Sequence, residues 1–258
     1  MSSGTGGAVE PIAVARTYLD ALVSHDADAV LLADHARRID NGRVTVEGAD
    51  ALRAIIRREP AARTDTFRWV VDGDQAVTFY DLDADMTRGD GDALGPPEQW
   101  IPAYIGERFQ VRDGQIEEIE VVYTARPNHP RPERPERHRG GDEPRDQVLA
   151  AARAYVASLV SHDPSQVPLH DDVWRIENGA PSGEGADALR AALASDVMHT
   201  IQGIEDERWL AGGDGAAVLY TLLARVGDDT MRMRIAERFR VVDGKLAEIE
   251  AVFAPITG

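Results

Sequence analysis

The sequence predicts an α+β protein built twice over within one chain of 258 residues. Three observations carry that prediction. Near-identical segments recur in the same order, apolar residues at helical spacing open each copy, and period-two alternation fills the remainder. Helices and strands segregated in this way pack as helices covering one face of a sheet.

The duplication is read directly. Leu22 to Asp26, LVSHD, recurs as Leu159 to Asp163. Arg38-Ile39-Asp40-Asn41-Gly42 recurs as Arg175-Ile176-Glu177-Asn178-Gly179, and Glu47 to Ala54, EGADALRA, recurs unchanged as Glu184 to Ala191. All three pairs lie 137 residues apart. Trp69 and Tyr80 then pair with Trp209 and Tyr220 at an offset of 140, and Glu107-Arg108-Phe109 pairs with Glu237-Arg238-Phe239 at 130. This drift places length changes in two loops, near residues 58–66 and in the Gly/Pro-rich insert Arg88 to Gln99. Copies of this size are domains and not solenoid units. The expected division is a first domain over residues 8–125, a linker over 126–145 and a second domain over 146–256. The linker holds five prolines and six arginines with almost no apolar side chains. It cannot bury a core and is expected to be extended or mobile.

Each copy has the same expected elements. Ile12, Ala15, Leu19, Leu22 and Val23 fall at helical spacing, so residues 10–24 form an amphipathic helix. Ser24-His25-Asp26 breaks it, and capping by Ser24 or Asp26 starts a short second helix that runs to Ala33. Arg38 to Gly42 is a strand and turn. Gly48 to Arg58 is a third helix. Four strands follow, Phe67–Val71, Ala76–Asp85, Ile101–Val111 and Ile116–Tyr123, with Gly-Asp and Asp-Gly turns between neighbours.

Composition excludes several functions. Forty-five acids against 28 bases give a net charge of −17, which argues against nucleic acid and against an anionic membrane surface. The absence of cysteine removes disulfides, thiol nucleophiles and Cys-ligated metals. The single lysine, Lys245, lies in a turn signal, and no Walker-type loop, dinucleotide loop or metal motif is found. The seven histidines are not spaced as a metal site. No apolar run approaches the ~20 residues of a membrane span, and the N-terminus lacks the features of a secretory signal. The expected location is the cytoplasm.

Alternation singles out two acids. Glu107 shares a strand face with Ile105, Phe109 and Val111, and Glu237 shares one with Met231, Met233, Ile235 and Phe239. A carboxyl on an apolar face loses solvation and its pKa rises, so it can donate a proton at neutral pH. The competing reading is a structural glutamate bonded to arginine or backbone. Asp81, Asp83 and Asp85 alternate along one face, read as solvated, or else as an acidic cluster in the first pocket. Trp69, Trp100, Trp174 and Trp209 could wall an aromatic pocket, although the paired Trp69 and Trp209 fit a core equally well.

Tyr18 with Asp26 eight residues on, Leu32-Ala33-Asp34, and the closing Arg108-Phe109…Asp113-Gly114 hairpin carry a resemblance. Their counterparts are Tyr155, Asp163, Leu169…Asp171 and Arg238-Phe239…Asp243-Gly244. In order and punctuation both copies resemble the nuclear transport factor 2-like superfamily, which includes SnoaL-like polyketide cyclases, ketosteroid isomerases and limonene-type epoxide hydrolases. The resemblance implies two tandem cone-shaped α+β barrel domains, each with three N-terminal helices packed on a curved, mostly antiparallel sheet. Packed sheet against sheet, they would form an intramolecular pseudo-dimer. It further implies a pocket between helices and sheet, in which Tyr18 and Glu107 would stabilise an oxyanion and Asp40 would act as general base. Tyr155, Glu177 and Glu237 are the second-domain equivalents. Tyr18 could instead be core, and Asp40 the start of a turn.

The expected function is cofactor-independent general acid–base catalysis, of isomerase or cyclase type, on a small hydrophobic carbonyl compound in specialised metabolism. Trp69, Tyr80, Trp100, Tyr104 and Tyr123 are the expected substrate-binding residues, and no metal is expected. Two rivals remain, an epoxide hydrolase or epoxide-opening cyclase and a non-catalytic small-molecule binding protein. The first copy is expected to be the active one. The second replaces Asp40, Asp81, Asp83, Asp85, Tyr104 and Tyr123 by Glu177, Thr221, Leu223, Arg225, Arg232 and Phe253, which suggests a filled or greasy cavity.

Overall fold

A computed structural model describes residues 10–86, 95–126 and 143–257. Most of the expected linker, and residues 88–94 of the Gly/Pro-rich insert, lie outside the described residues. The first half runs α1 (Pro11–Ser24), β1 (Leu32–Asp40), β2 (Arg43–Glu47), α2 (Ala49–Ile56), β3 (Ala61–Asp72), β4 (Gln75–Ala84), β5 (Ile101–Arg112) and β6 (Gln115–Ala125). The second repeats it as α3 (Arg145–Ser161), β7 (Leu169–Glu177), β8 (Ala180–Glu184), α4 (Ala186–Leu193), β9 (Ile201–Gly212), β10 (Gly215–Val226), β11 (Asp229–Val242) and β12 (Lys245–Pro255).

Each half is a six-stranded mixed sheet with helices on one face, in the orders β2-β1-β6-β5-β4-β3 and β8-β7-β12-β11-β10-β9. Neighbouring strands are antiparallel except β1 with β6 and β7 with β12, which are parallel. The sheets do not close into barrels. The expected second helix is a single 3₁₀ turn, Ala27–Ala29. Leu32 to Ala36, expected as helix end and loop, instead opens β1, where Leu32 sits opposite Ile116 of β6. His25 and His162 adopt left-handed backbone conformations that end α1 and α3, each N–H returning to a carbonyl four residues back. That backbone role accounts for the shared Ser-His-Asp context.

α1 buries Val14, Ala15, Tyr18, Leu19 and Leu22 against the inner face of the first sheet. The rings of Tyr18 and Phe109 meet edge to face at 5.7 Å, and those of Tyr155 and Phe239 do so at 5.4 Å.

The outer faces of the two sheets pack on each other. Val70, Val77, Phe79, Tyr104 and Val122 form one apolar cluster with Leu210, Ala217, Leu219, Ala236 and Val252. Charged pairs flank it with pseudo-twofold symmetry. Arg68 binds Glu250 through two hydrogen bonds of 2.6 and 2.7 Å, and its counterpart Arg208 binds Glu120 at 2.6 Å. Asymmetry enters on β5 and β11. The register makes Arg234, and not Arg232, the partner of Tyr104, because Tyr104 faces Asp81 as Arg234 faces Thr221. Arg234 reaches across to Glu120 at 2.5 and 2.9 Å.

This packing corrects the reading of the aspartates on β4. Asp81 and Asp83 are neither solvated nor in the first pocket. They are buried on the face opposite Tyr80, Leu82 and Ala84, with Arg63 bonded to Asp83 at 2.7 Å. Asp85 is fully buried at the strand end and accepts from the Gly95 N–H. Among the described residues, no helix is long and apolar enough to cross a membrane.

Candidate functional site

A cavity of about 380 Å³ opens between α1, α2 and the inner face of the first sheet. Alternation along the strands decides what faces it. Arg38 and Asp40 enter from β1, Tyr80 and Leu82 from β4, Ile105 and Glu107 from β5, and Val121 and Tyr123 from β6. Tyr18 comes from α1, and Glu59 from the segment after α2.

At one wall the polar groups form a chain. Arg38 is buried, and its guanidinium donates to Tyr18 Oη at 3.1 Å, to Asp40 Oδ1 at 2.8 Å and to Glu59 Oε1 at 3.3 Å. Asp40 Oδ2 accepts from Thr45 Oγ1. Because Tyr18 Oη accepts from Arg38, its own proton is available to another acceptor. Burial holds that proton well above the ordinary tyrosine range, and the Arg38 charge opposes the rise.

Glu107 is buried and accepts from Tyr80 Oη at 2.8 Å. Desolvation raises its pKa to about 7, against the lowering effects of Arg38 and the Tyr80 hydrogen bond. At neutral pH it therefore exists in both protonation states, as a proton donor to the cavity requires.

The second half repeats the arrangement with changes. Arg175 donates to Tyr155 Oη at 3.1 Å, the same distance as in the first half, and lies 3.4 Å from Glu177. Tyr220 Oη donates to the buried Glu237 at 3.0 Å, and desolvation raises the Glu237 pKa to about 8. The cavity here is about 550 Å³. The second cone is thus greasy but not filled. Met231 and Met233 line its wall without closing it.

The structure brings Tyr18, Asp40, Glu107, Tyr80 and Tyr123 to one cavity, and Tyr155, Glu177 and Glu237 to the other. Three expected substrate contacts lie elsewhere. Tyr104 points to the opposite face of β5 and packs in the cluster between the halves. Trp69 stacks on Phe67 at 6.2 Å beneath the Arg16 guanidinium. Trp100 is tied to Gly95 by a 3.1 Å bond from its indole nitrogen. Arg38 and Glu59 join the site although sequence reading gave them no role. The available signal was the retention of arginine as Arg175 in a motif whose acid changed from aspartate to glutamate.

The chain matches a family described as a domain of unknown function, DUF8021, over residues 9–123 and again over 141–253. No curated protein matches it. Solved structures resemble it over less than half its length. An NTF2-like protein from Burkholderia xenovorans is 18% identical, with 43% of this chain and 92% of that one covered at a TM-score of 0.38. A protein from Jannaschia named for its likeness to SnoaL-type polyketide cyclases is 21% identical over 48% of this chain and 91% of its own, at a TM-score of 0.37. An LEH-like epoxide hydrolase from M. tuberculosis is 18% identical over 42% and 84%, at 0.38.

Proposed function

We propose that this chain, which belongs to the DUF8021 family through both of its halves, is a general acid–base enzyme whose first cavity acts on a small, largely apolar carbonyl compound. The observation that carries this reading is Arg38. One buried guanidinium bonds both the Tyr18 hydroxyl and the Asp40 carboxylate, and Glu107 enters the same cavity from β5. A carbonyl oxygen placed between Tyr18 and Glu107 would meet two donors. Asp40 would take a proton from the adjacent carbon, and the C–H electron pair would pass into the enolate. The oxyanion would be held by the Tyr18 and Glu107 protons, and each such preorganised donor is worth about 3–4 kcal/mol. Return of the proton to another carbon is isomerisation. Attack of the enolate on a second carbon of the same molecule is cyclisation. Arg38 acts here as a positioning residue, fixing Asp40 and orienting the Tyr18 hydroxyl.

The test is exchange of α-hydrogen for deuterium in D₂O, followed by NMR on a panel of small cyclic ketones. The wild-type chain is expected to accelerate exchange of at least one. Asp40→Asn should lose about 10²-fold or more, the scale of a positioned base. Ketones that bind but exchange no faster than in buffer would overturn the proposal.

A second reading has one observation in its favour. Arg38 bridges two carboxylates, Asp40 and Glu59, which could share the work of activating water and protonating a ring oxygen in epoxide opening. Incorporation of ¹⁸O from labelled water into an epoxide, lost in Glu59→Gln and Asp40→Asn, would favour that reading over enolate chemistry.

A further inference from the structure

We propose that Ile256 and Thr257, just past the last strand of the second half, are positioning residues for Asp40 of the first: they clasp the turn that carries this base. The consequence for turnover rests on the acid–base reading of the first cavity, and the clasp itself does not.

Asp40 ends β1, and Asn41 and Gly42 make the tight turn into β2, both at positive φ, 46° and 84°. The Asp40 carboxylate is held by Arg38 Nε at 2.8 Å and by Thr45 Oγ1. Thr45 belongs to β2, so the aim of the base depends on where the β1–β2 hairpin lies. β2 is an edge strand of five residues, four of them exposed. Within its own half, Asn41 ties the turn to β6. Its N–H donates to the Val121 carbonyl at 2.9 Å, and its Oδ1 accepts from the Tyr123 N–H at 3.0 Å. A hairpin this short gains little from its own packing.

The second half adds a further hold. A Cβ on Gly42 would lie 3.1 Å from Ile256 Cδ1 and 3.5 Å from Arg234 Cβ, so the turn packs directly on both side chains. Arg43 Nη1 donates to the Thr257 carbonyl at 2.6 Å. Ile256 is fixed in turn, its own N–H donating to the Arg232 carbonyl at 2.9 Å.

The pseudo-twofold relation repeats the device with different chemistry. Arg126 is the counterpart of Ile256. Each follows the last strand of its half by one residue, and Arg126 donates its N–H to the Pro102 carbonyl, also at 2.9 Å. The Arg126 guanidinium reaches the second acid-bearing turn and donates to the Asn178 carbonyl at 3.1 Å. Each half thus grips the turn of the other. Both arginines come from the first half, because Ala180 stands where Arg43 does. The first turn meets an apolar side chain and the second a guanidinium, so the two can be loosened separately.

Amide hydrogen exchange by NMR, which needs no substrate, compares the whole wild-type chain with Arg43→Ala, Ile256→Ala and the double variant. In the double variant the Asn41 N–H should exchange about tenfold faster or more, while the Asn178 N–H keeps its wild-type rate. A general loss of stability would speed both amides. Arg126→Ala should do the reverse, speeding Asn178 and sparing Asn41. Arg43→Lys and Ile256→Leu, which keep a donor and an apolar contact, should leave Asn41 at its wild-type rate. On a ketone that the wild-type chain turns over, the double variant should lower kcat about tenfold and change KM less than about twofold, because a displaced base slows chemistry and not binding. If the double variant does not fold, the single variants decide on the same amides. The proposal is overturned if Asn41 keeps its wild-type rate, if Asn41 and Asn178 speed up equally, or if kcat is unchanged although Asn41 is faster. A wild-type chain that turns over no ketone sinks the acid–base reading, and the two amides still decide the clasp.

Discussion

The ring of Tyr104, on β5 of the first half, lies against the backbone of Gly179 in the β7–β8 turn of the second, so closely that a Cβ on Gly179 would sit 2.0–2.2 Å from three ring carbons. Gly179 follows Glu177 by two residues, and Tyr104 stands between Ala103 and Ile105, which line the first cavity. The contact therefore joins the acid-bearing turn of one half to the pocket strand of the other. Asn178 adds to the same turn, its side-chain oxygen accepting from the Phe253 N–H at 2.8 Å.

Gly179→Ala is expected to cost roughly 2–4 kcal/mol, combining overpacking against the ring with a backbone φ of +72° that L-residues disfavour. Gly73→Ala is the control, since Gly73 has a similar φ of +62° and nothing near its would-be Cβ. It should cost about 1 kcal/mol. Urea unfolding midpoints measure both. A Gly179 variant no less stable than the Gly73 variant would remove the contact from the energetics.

Glu120 is buried between Arg234 and Arg208 of the other half, at 2.5 and 2.6 Å. Such clusters contribute registry more than net stability, but breaking one from a single side leaves charge uncompensated. Glu120→Gln should therefore cost about 3 kcal/mol in urea unfolding, while the conservative Arg208→Lys, at the more exposed position, should cost under about 1 kcal/mol. Equal losses would show that burial of the acid is not what matters.

Stability should fall with rising pH over the range where Glu107 and Glu237 hold protons that the unfolded chain has released. Their folded pKa values are raised from 4.5 to about 7 and about 8. Between 4.5 and those values each group makes the folded state lose about 1.4 kcal/mol per pH unit, and the slope vanishes above them. Glu118 acts with opposite sign in a lower window. Although its burial opposes the change, Arg108 and Arg37 lower its pKa, so its contribution is lost only as the pH falls below the ordinary glutamate range. Unfolding midpoints from pH 5 to 8 should flatten in the Glu107→Gln, Glu237→Gln double variant. An unchanged slope would assign the dependence to other groups.

Much of this was legible in the sequence, and the gaps have physical causes. Shared segments exposed the duplication. Periodicity found α1, α2 and the four long strands, and alternation turned Glu107 and Glu237 inward. The first residues of β1 read as the end of a helix and a loop because Leu32-Ala33-Asp34-His35-Ala36 has weak strand propensity; the strand forms because β6 pairs with it. Asp81 and Asp83 were read as solvated because alternation reports two faces without saying that a second sheet covers the outer one. Tyr104 was assigned to the pocket for the same reason. Arg38 escaped because its partners, Tyr18, Asp40 and Glu59, come from three separate segments that only the fold brings together.

The central claim is that Glu107 supplies a proton in the first cavity, and the pH dependence of ketone α-hydrogen exchange tests it most directly. At low ketone concentration the rate reports groups of the free protein. The wild-type rate should decline above a midpoint near pH 7, where Glu107 loses its proton. In Glu107→Gln, which keeps a donor but cannot titrate, that decline should disappear, and Glu107→Leu should lose about 10²–10³-fold at every pH. A Glu107→Gln profile that retains the same decline near pH 7 would contradict the assignment and return Glu107 to a structural role.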